Sequence, residues 1–322
     1  MTGTAADVAG GAGANPVAPA AHGHRLNLPD RAPALARRRS RRLGLAVGVN
    51  AAVTVLELAG GWLAHSVALL ADAGHNAADI AAAVIALAAV RIARRPPDAS
   101  KSFGYHRSGV LAAEVNAGAV LVVSVLVAVG AVVRLAHPVA ARGSVMVAVA
   151  GTALVLNAFA ALALSERHGE LNTRAVALHL GADAAASAGV LVAGVALLLD
   201  EGLRWLDPAV SLAIALMVAW QAVRLGRQVA DVLLEGTPPG TDTERLAAVV
   251  LATPGVEDVH DLHVWALSSE VTLLSAHLVM AGHPTLEGAQ DVAGSVRGRL
   301  VRDFGIAHAT FELECETCAP AP

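Results

Sequence analysis

The sequence predicts an α-helical integral membrane protein with six transmembrane helices, followed by a C-terminal cytosolic α+β domain with the order αββαβ. The first observation behind this fold class is that, of 322 residues, 55% are hydrophobic and only 16% are charged. Soluble domains carry roughly 25% charged residues. The second observation is that aromatic residues make up only 3% of the chain. Small aliphatic residues therefore supply the apolar mass, which suits closely packed membrane helices.

The composition and motifs also exclude several functional classes. A net charge of −4 argues against a general nucleic-acid partner, and a total of two cysteines rules out a disulfide scaffold. The sequence contains no His-Glu-x-x-His motif and no evident nucleophile with a base. We therefore predict a protein that is not an enzyme and that needs no organic cofactor.

The N-terminal residues 1–36 are rich in Ala, Gly and Pro and contain His22 and His24. No continuous apolar run follows a basic start, so the segment does not have the pattern of a signal peptide. Its composition predicts a disordered tail, in which the two histidines give at most weak metal binding.

Six apolar stretches follow, each close to the roughly 20 residues that a bilayer-spanning helix needs. They are residues 43–64, 67–90, 108–133, 144–164, 175–199 and 205–223. Fourteen Lys and Arg residues lie in the flanking segments on the side of the N-terminus, and three lie on the opposite side. Because basic residues accumulate in cytoplasmic loops, we expect both termini to be cytoplasmic.

The pattern changes after the Gly- and Pro-rich segment 236–240. Helices are predicted over residues 241–252 and 286–301, and strands over 256–267, 270–280 and 306–314. The chain is therefore expected to comprise a tail (1–36), a six-helix transmembrane domain (37–236), a cytosolic domain (237–315) and a second tail (316–322).

Two matched pairs of ionisable residues lie inside the predicted spans: His75 with Asp79 in the second, and His179 with Asp183 in the fifth. A central Asp costs roughly 2.5–3.5 kcal/mol on insertion scales. The i, i+4 spacing places each pair on one helix face, one turn apart. Two His and two Asp ligands suit tetrahedral zinc, whose charge would offset both carboxylates. A single pair could instead join helices by a hydrogen bond, but the repeated spacing favours a metal site.

Further polar residues lie in the spans: Asn50, Glu57, Asp72, Asn76, Glu114, Asn116 and Asn157. Asp72 and Asn76 flank the ligand face of the second span, where they could line a water-filled route or support the ligands. For the asparagines we expect hydrogen bonds between helices.

The C-terminal domain carries a second candidate metal cluster. Its members are His260, His263 and His277 on the predicted strands, and Glu312, Glu314, Cys315 and Cys318 at the end of the domain. The Cys-x-x-Cys spacing is typical of a metal clamp, and a reducing cytosol disfavours a disulfide. His260 and His263 could equally be ordinary strand residues, so both interpretations stay open.

These motifs resemble those of the cation diffusion facilitator family, in its cobalt–zinc–cadmium efflux branch. Residues 57–62 and 66–79 resemble the first two spans of that family, and residues 179–183 resemble its fifth span. Residues 261–265 resemble the entry to its ferredoxin-like, metallochaperone-like cytosolic domain. The resemblance covers about residues 38–315.

The resemblance implies a homodimeric antiporter in the cell membrane that exports zinc, and also cadmium or cobalt, in exchange for protons. It implies that the four residues of the His–Asp pairs form the transport site and that the cytosolic domain binds metal, regulates and dimerises. Arg107 and Glu235 occupy the places of an ion pair that ties the membrane dimer to the cytosolic domains. The positions at or near the relatives' cytosolic ligands are His260, His277, Glu312 and Glu314.

The sequence also departs from the family pattern between the second and third spans. Some relatives build a regulatory metal site there with histidines, where this chain has Lys101 and Tyr105 and retains only Asp98. We do not expect that site here.

The expected mechanism is alternating access, in which protons compete with zinc for the ligands, because only neutral His and ionised Asp bind metal. The histidines are the expected proton carriers. The alternative functions are a membrane-anchored metal sensor or a membrane metalloenzyme. A sensor leaves the duplicated ligand pairs without a purpose.

Overall fold

The computed structural model describes residues 33–137, 139–164 and 171–316, and the side chains of 47–137, 139–162 and 179–316. Six long helices come first: α1 (Pro33–Ala64), α2 (Val67–Ala93), α3 (Ser108–Ala136), α4 (Gly143–Leu164), α5 (Leu171–Leu199) and α6 (Leu206–Leu233). All six are long and apolar enough to cross a membrane. The six-helix membrane part predicted from composition is therefore confirmed.

Two of these helices extend beyond the apolar stretches that predict them. α1 begins at Pro33, so residues 33–36 are helical rather than part of a disordered tail, and residues 1–32 lie outside the described residues. α6 continues past residue 223 to Leu233. The added turns are rich in Ala, Leu and Arg, which favour helix whether or not a membrane surrounds them. Hydropathy therefore locates the membrane part of a helix and misses its ends.

The membrane helices approach one another closely at glycines. A Cβ added at Gly60 of α1 would lie 2.5 Å from the Val149 side chain of α4, and one at Gly194 of α5 would lie 2.9 Å from the Met146 Cβ. Such contacts let helix backbones pack tightly where burial of apolar surface from water gives no driving force. α4 therefore lies against both α1 and α5.

One buried carboxylate joins the start of α2 to the start of α6. Asp207 accepts hydrogen bonds from the Ser66 hydroxyl at 2.5 Å and from the amides of Val67 and Ala68 at 2.9 and 3.2 Å. Ser66 in turn caps α2 by accepting a hydrogen bond from the Leu69 amide. A carboxylate at a helix N-terminus also meets the positive end of the helix dipole. Asp207 therefore fixes where α2 begins relative to α6.

The C-terminal domain has the predicted αββαβ order, which confirms the α+β part of the fold class. Its elements are α7 (Thr243–Leu251), β1 (Val256–Ser268), β2 (Val271–Met280), α8 (Leu286–Phe304) and β3 (His308–Glu314). β2 is the central strand and pairs antiparallel with β1 and parallel with β3. Leu246 of α7, Leu274 of β2 and Leu300 of α8 share one buried core, so both helices pack on the sheet.

Candidate functional site

The two His–Asp pairs predicted in the spans meet between α2 and α5. The Nε2 atom of His75 lies 3.6 Å from Oδ2 of Asp79 and 3.7 Å from Oδ1 of Asp183. The Nε2 atom of His179 lies 3.1 Å from Oδ2 of Asp79 and 3.8 Å from Oδ2 of Asp183. Each histidine therefore faces the carboxylate of its own helix and that of the other helix.

The chemistry of this cluster fits a divalent cation. The Oδ2 atom of Asp183 is buried and accepts no hydrogen bond from the residues that the structure describes, whereas Oδ2 of Asp79 lies 3.1 Å from the Nε2 atom of His179. Ligand atoms of His75, Asp79 and Asp183 lie within 4.8 Å of one another, and His179 completes the donor set of tetrahedral zinc. A dication here would satisfy the Asp183 oxygen and offset both negative charges.

The four side chains differ in their access to the surroundings. Those of Asp183 and His75 are 1% and 10% exposed, whereas those of Asp79 and His179 are 27% and 40% exposed. His179 is therefore at the exposed side of the cluster, and Asp183 forms its buried end.

The polar neighbours of the cluster bond to one another rather than to the four ligands. Asn76 donates from Nδ2 to Oε2 of Glu57 on α1 at 2.9 Å. Ser187 on α5 donates from its hydroxyl to Oδ2 of Asp72 at 3.2 Å. The predicted interhelical hydrogen bond is thus found for Asn76, whereas the side-chain amide of Asn157 has no partner among the described residues.

Arg107 and Glu235, which the sequence analysis paired, lie in contact within one chain. The Arg107 Nη2 atom is 3.0 Å from Oε1 of Glu235. Glu235 has a positive φ of 60° and follows α6 directly. The ion pair therefore joins the start of α3 to the exit of α6, where the chain turns toward the C-terminal domain.

Hydrogen bonds occupy the Asp98 carboxylate in the α2–α3 connection. The Tyr105 hydroxyl donates to its Oδ2 at 2.8 Å, and the Ser100 hydroxyl donates to its Oδ1 at 2.6 Å. These bonds, first that from Ser100 and then that from Tyr105, lower the pKa of Asp98 to about 2. The carboxylate is held by this chain's own donors at the place where some relatives carry a regulatory metal site.

The C-terminal domain brings three of its predicted ligands together across the sheet. His260 and His277 are directly opposed on β1 and β2, and their ring centroids are 5.0 Å apart. Glu314 on β3 bridges them, with Oε2 at 2.9 Å from Nε2 of His260 and Oε1 at 2.6 Å from Nδ1 of His277. Ligand atoms of these three residues lie within 4.8 Å of one another.

The other predicted members of this cluster lie further out. Glu312 is 67% exposed and its Oε2 is 3.5 Å from Nε2 of His277. His263 contacts Asp261 instead of the three central residues. Cys315 is an exposed free thiol, and Cys318 lies outside the described residues.

Asp261 is a close neighbour of the cluster that the sequence did not identify as a candidate ligand. Its Oδ2 atom lies 3.5 Å from Nε2 of His277, and its φ is +50°. It sits where the β1–β2 register shifts between His260 and His263. Asp tolerates this left-handed backbone better than most residues, and Asp261 opens the segment 261–265 that resembles the family's cytosolic domain, but neither signal indicates a ligand.

Known protein families match both parts of the chain. Residues 43–234 match the cation efflux transmembrane domain, and residues 238–316 match the cation efflux protein cytoplasmic domain. These two segments correspond to the six-helix part and the αββαβ part of the structure.

Individual relatives match over most of their length. The metal cation efflux system protein CzcD of Cupriavidus metallidurans is 34% identical over 284 residues, which cover 87% of this chain and 88% of that protein. The zinc transporter ZitB of Escherichia coli is 35% identical over 282 residues, with 87% and 88% covered. A cadmium, cobalt and zinc/H(+)-K(+) antiporter of Bacillus subtilis is 30% identical over 265 residues, with 81% and 85% covered.

A solved structure also matches part of the chain. The metal-bound C-terminal domain of the CzcD transporter from C. metallidurans is 35% identical, with a TM-score of 0.21, and the match covers 23% of this chain and 99% of that one.

Proposed function

Because this chain belongs to the cation diffusion facilitator family, in its zinc, cadmium and cobalt branch, we propose that it is a secondary active transporter. It exports divalent metal cations from the cytoplasm, with zinc as the main substrate, in exchange for protons. Relatives carry the names of zinc transporters and of proton-coupled cadmium, cobalt and zinc antiporters.

The convergence of two His–Asp pairs from α2 and α5 is the observation that carries this proposal. We assign His75, Asp79, His179 and Asp183 as the ligands of the transported ion. Each histidine nitrogen lies between 3.1 and 3.8 Å from the carboxylate oxygens that face it. Zinc bonds N and O ligands at about 2.0–2.2 Å, so neighbouring ligand atoms of a tetrahedral ion lie roughly 3.3–3.6 Å apart. The observed distances fit an ion after shifts of a fraction of an ångström.

Transport would follow from competition between protons and zinc at these ligands. Zinc binds the neutral imidazole and the ionised carboxylate, so a drop in pH on the release side favours dissociation. Histidines titrate near physiological pH, and the exposed His179 is the ligand that protons reach most easily. Alternating access to the two sides of the membrane would then convert proton entry into metal exit.

The proposal also covers the orientation of the chain in the membrane and its oligomeric state. The bias of Lys and Arg toward one side supports a cytoplasmic position for both termini and, with them, for the C-terminal domain. The match to a dimerising cytoplasmic domain supports a homodimer. The Arg107–Glu235 pair connects the start of α3 with the exit of α6, so movements of the membrane helices would reach the C-terminal domain through it.

The His260, His277 and Glu314 cluster would serve as a regulatory zinc site in that domain. Metal binding there could bias the dimer toward a transport-competent state, which requires two distinct states with different zinc affinity. The domain assignments of transport to residues 37–236 and of regulation to 237–315 are part of the same proposal.

Zinc flux into proteoliposomes with an imposed pH gradient tests the function. We expect the wild-type protein to move zinc and to respond to the direction of the gradient, and Asp183→Ala to abolish the flux. Glu114→Gln is the matched control, because it removes a carboxylate from a membrane helix at an exposed position. Zinc binding without flux would indicate a sensor, and unchanged flux in Asp183→Ala would refute the assigned site.

A further inference from the structure

Two buried carboxyl groups lie beside the His–Asp cluster without belonging to it. Glu57 on α1 and Asp72 on α2 are 0% and 1% exposed. Asn76 donates a hydrogen bond to Glu57 and lies four residues after Asp72, on the same face of α2, so the Glu57 carboxyl group packs against the helix face that carries Asp72. The Oε1 atom of Glu57 and the Oδ1 atom of Asp72 are both buried and receive no hydrogen bond from any described residue. Two acceptor oxygens without a donor, on neighbouring carboxyl groups, are the arrangement that one shared proton satisfies.

The surrounding charges make a shared proton necessary. Among the described side chains, no Lys, Arg or His forms an ion pair with Glu57 or Asp72. Asp183 on α5 adds a further carboxylate that acts on both groups, and the remaining ionisable groups of the cluster are His75, Asp79 and His179. Two neighbouring carboxyl groups that are both buried disfavour simultaneous ionisation, since each negative charge opposes the other.

The hydrogen bonds of the pair connect it to both ligand helices. Glu57 accepts from Asn76, which follows the ligand His75 on α2. Asp72 accepts from Ser187, which lies one turn beyond the ligand Asp183 on α5. A shift of α2 relative to α5 would therefore change the environment of the pair at the same moment as it changes the ligand cluster.

We propose that Glu57 and Asp72 form a further proton site, distinct from the metal ligands, that holds one proton in addition to those that compete with zinc at the four ligands. This inference rests on the proposed function of proton-coupled export. Zinc in the cluster adds two positive charges close to Asp183, which favours ionisation of the pair. One carboxyl O–H bond then breaks and the proton passes to bulk water. When zinc leaves, the pair takes up a proton again, so at this pair metal binding and protonation alternate through charge without a shared ligand.

The test counts the protons released for each zinc bound by the purified full chain. Titration calorimetry with zinc in buffers of different ionisation enthalpy gives this number directly. Glu57→Gln keeps the shape of the side chain, can still accept from Asn76, and can donate to Asp72 in place of the shared proton. We expect it to bind zinc and to release about one proton fewer per zinc than the wild type. Glu114→Gln should release as many protons as the wild type.

The outcomes separate this inference from the function on which it rests. A proton count in Glu57→Gln equal to that of the wild type overturns the proton site, even if zinc affinity or protein stability changes. If Glu57→Gln does not fold, Asp72→Asn removes the other carboxyl group of the pair, and its proton count tests the proposal in the same way. If the wild-type protein itself transports no zinc, the proposed export function fails, whatever the proton counts are.

Discussion

The membrane cluster and the cluster in the C-terminal domain use similar side chains, but their carboxylates are in opposite situations. In the membrane, the Oδ2 atom of Asp183 is buried, accepts no hydrogen bond from the described residues and lies 3.8 Å from the Nε2 atom of His179. In the C-terminal domain, both oxygens of Glu314 contact histidine nitrogens, at 2.9 and 2.6 Å. A buried carboxylate without a partner needs a cation or a proton, whereas one already bonded is stable without either.

This difference is what we expect if the two proposed metal sites have different roles. A carboxylate without a hydrogen bond would take an ion and give it up to protons, as the proposed transport site must. In the C-terminal domain an ion would have to replace existing hydrogen bonds, so occupancy would change the contacts of three strands. That behaviour suits a site whose occupancy is a signal.

Asp183→Asn should produce the largest loss. The amide carries no negative charge to balance zinc. Its NH₂ group lies among the two histidines and Asp79, and it cannot coordinate a cation. Zinc flux in proteoliposomes should fall by at least about 100-fold, since even residues that only support a ligand change metal affinity or activity 10–100-fold. Retention of more than a tenth of wild-type flux would mean that Asp183 is not a ligand of the transported ion.

Asp207→Asn should have the next largest effect, although Asp207 contacts no metal ligand. Its carboxylate accepts three hydrogen bonds from the start of α2, and charged hydrogen bonds contribute about 1.5–3 kcal/mol each. Because α2 carries His75 and Asp79, we expect a lower melting temperature and a fall in zinc affinity of roughly 10-fold.

Asp200→Asn is the matched control for that experiment. Asp200 also caps a helical turn, Glu201–Leu203, but it is exposed and lies outside the six long helices. It should leave zinc affinity at the wild-type value. A lower melting temperature in Asp207→Asn with unchanged zinc affinity and flux would mean that Asp207 stabilises the fold without positioning the ligands.

Glu314→Gln should separate regulation from transport. Zinc binding to the C-terminal domain should weaken by at least about 10-fold, because one of three central ligands loses its charge. Flux should fall only a few-fold, since the membrane ligands are intact. Calorimetry on the full chain resolves the two classes of site, and Glu312→Gln, at a 67% exposed position, should change both quantities less. Flux as low as that of Asp183→Asn would show that the second site is essential.

The two clusters also differ in how far the sequence predicts them. The i, i+4 spacing of a helix brings His75 to Asp79 and His179 to Asp183 without any tertiary information, so the membrane ligands could be named in advance. The sheet cluster depends on register: His260 meets His277 because β1 and β2 pair at that position. Asp261 enters through a register shift and a positive φ, which no periodicity encodes.

In the membrane part, too, contacts between residues far apart in the sequence could not be predicted. Asp207 reaches Ser66 across 141 residues, and Asn76 reaches Glu57 on a different helix. Glu57, Asp72 and Asn76 can be recognised in the sequence as polar residues in spans, but nothing in their spacing indicates their hydrogen-bond partners. Helix and strand order could be predicted because it follows from local patterns, whereas these partners follow from packing.

Tyr105→Phe should have the smallest effect and extends the comparison to a third carboxylate. Like Glu314, Asp98 is held by donors of its own chain, here the hydroxyls of Tyr105 and Ser100. Removing the Tyr105 hydroxyl should raise the pKa of Asp98 from about 2 toward its usual 3.8, measured by carboxyl NMR titration.

A depressed Asp pKa stabilises the fold above the unfolded pKa, and that contribution is lost as pH falls from about 4 to about 2. Zinc flux near neutral pH should not change, because Asp98 is ionised there in both proteins. Because Lys101 and Tyr105 stand where some relatives have histidines, zinc should not shift the Asp98 resonance in the wild type; a shift would mean that the carboxylate exchanges its hydrogen bonds for metal, as proposed for Glu314.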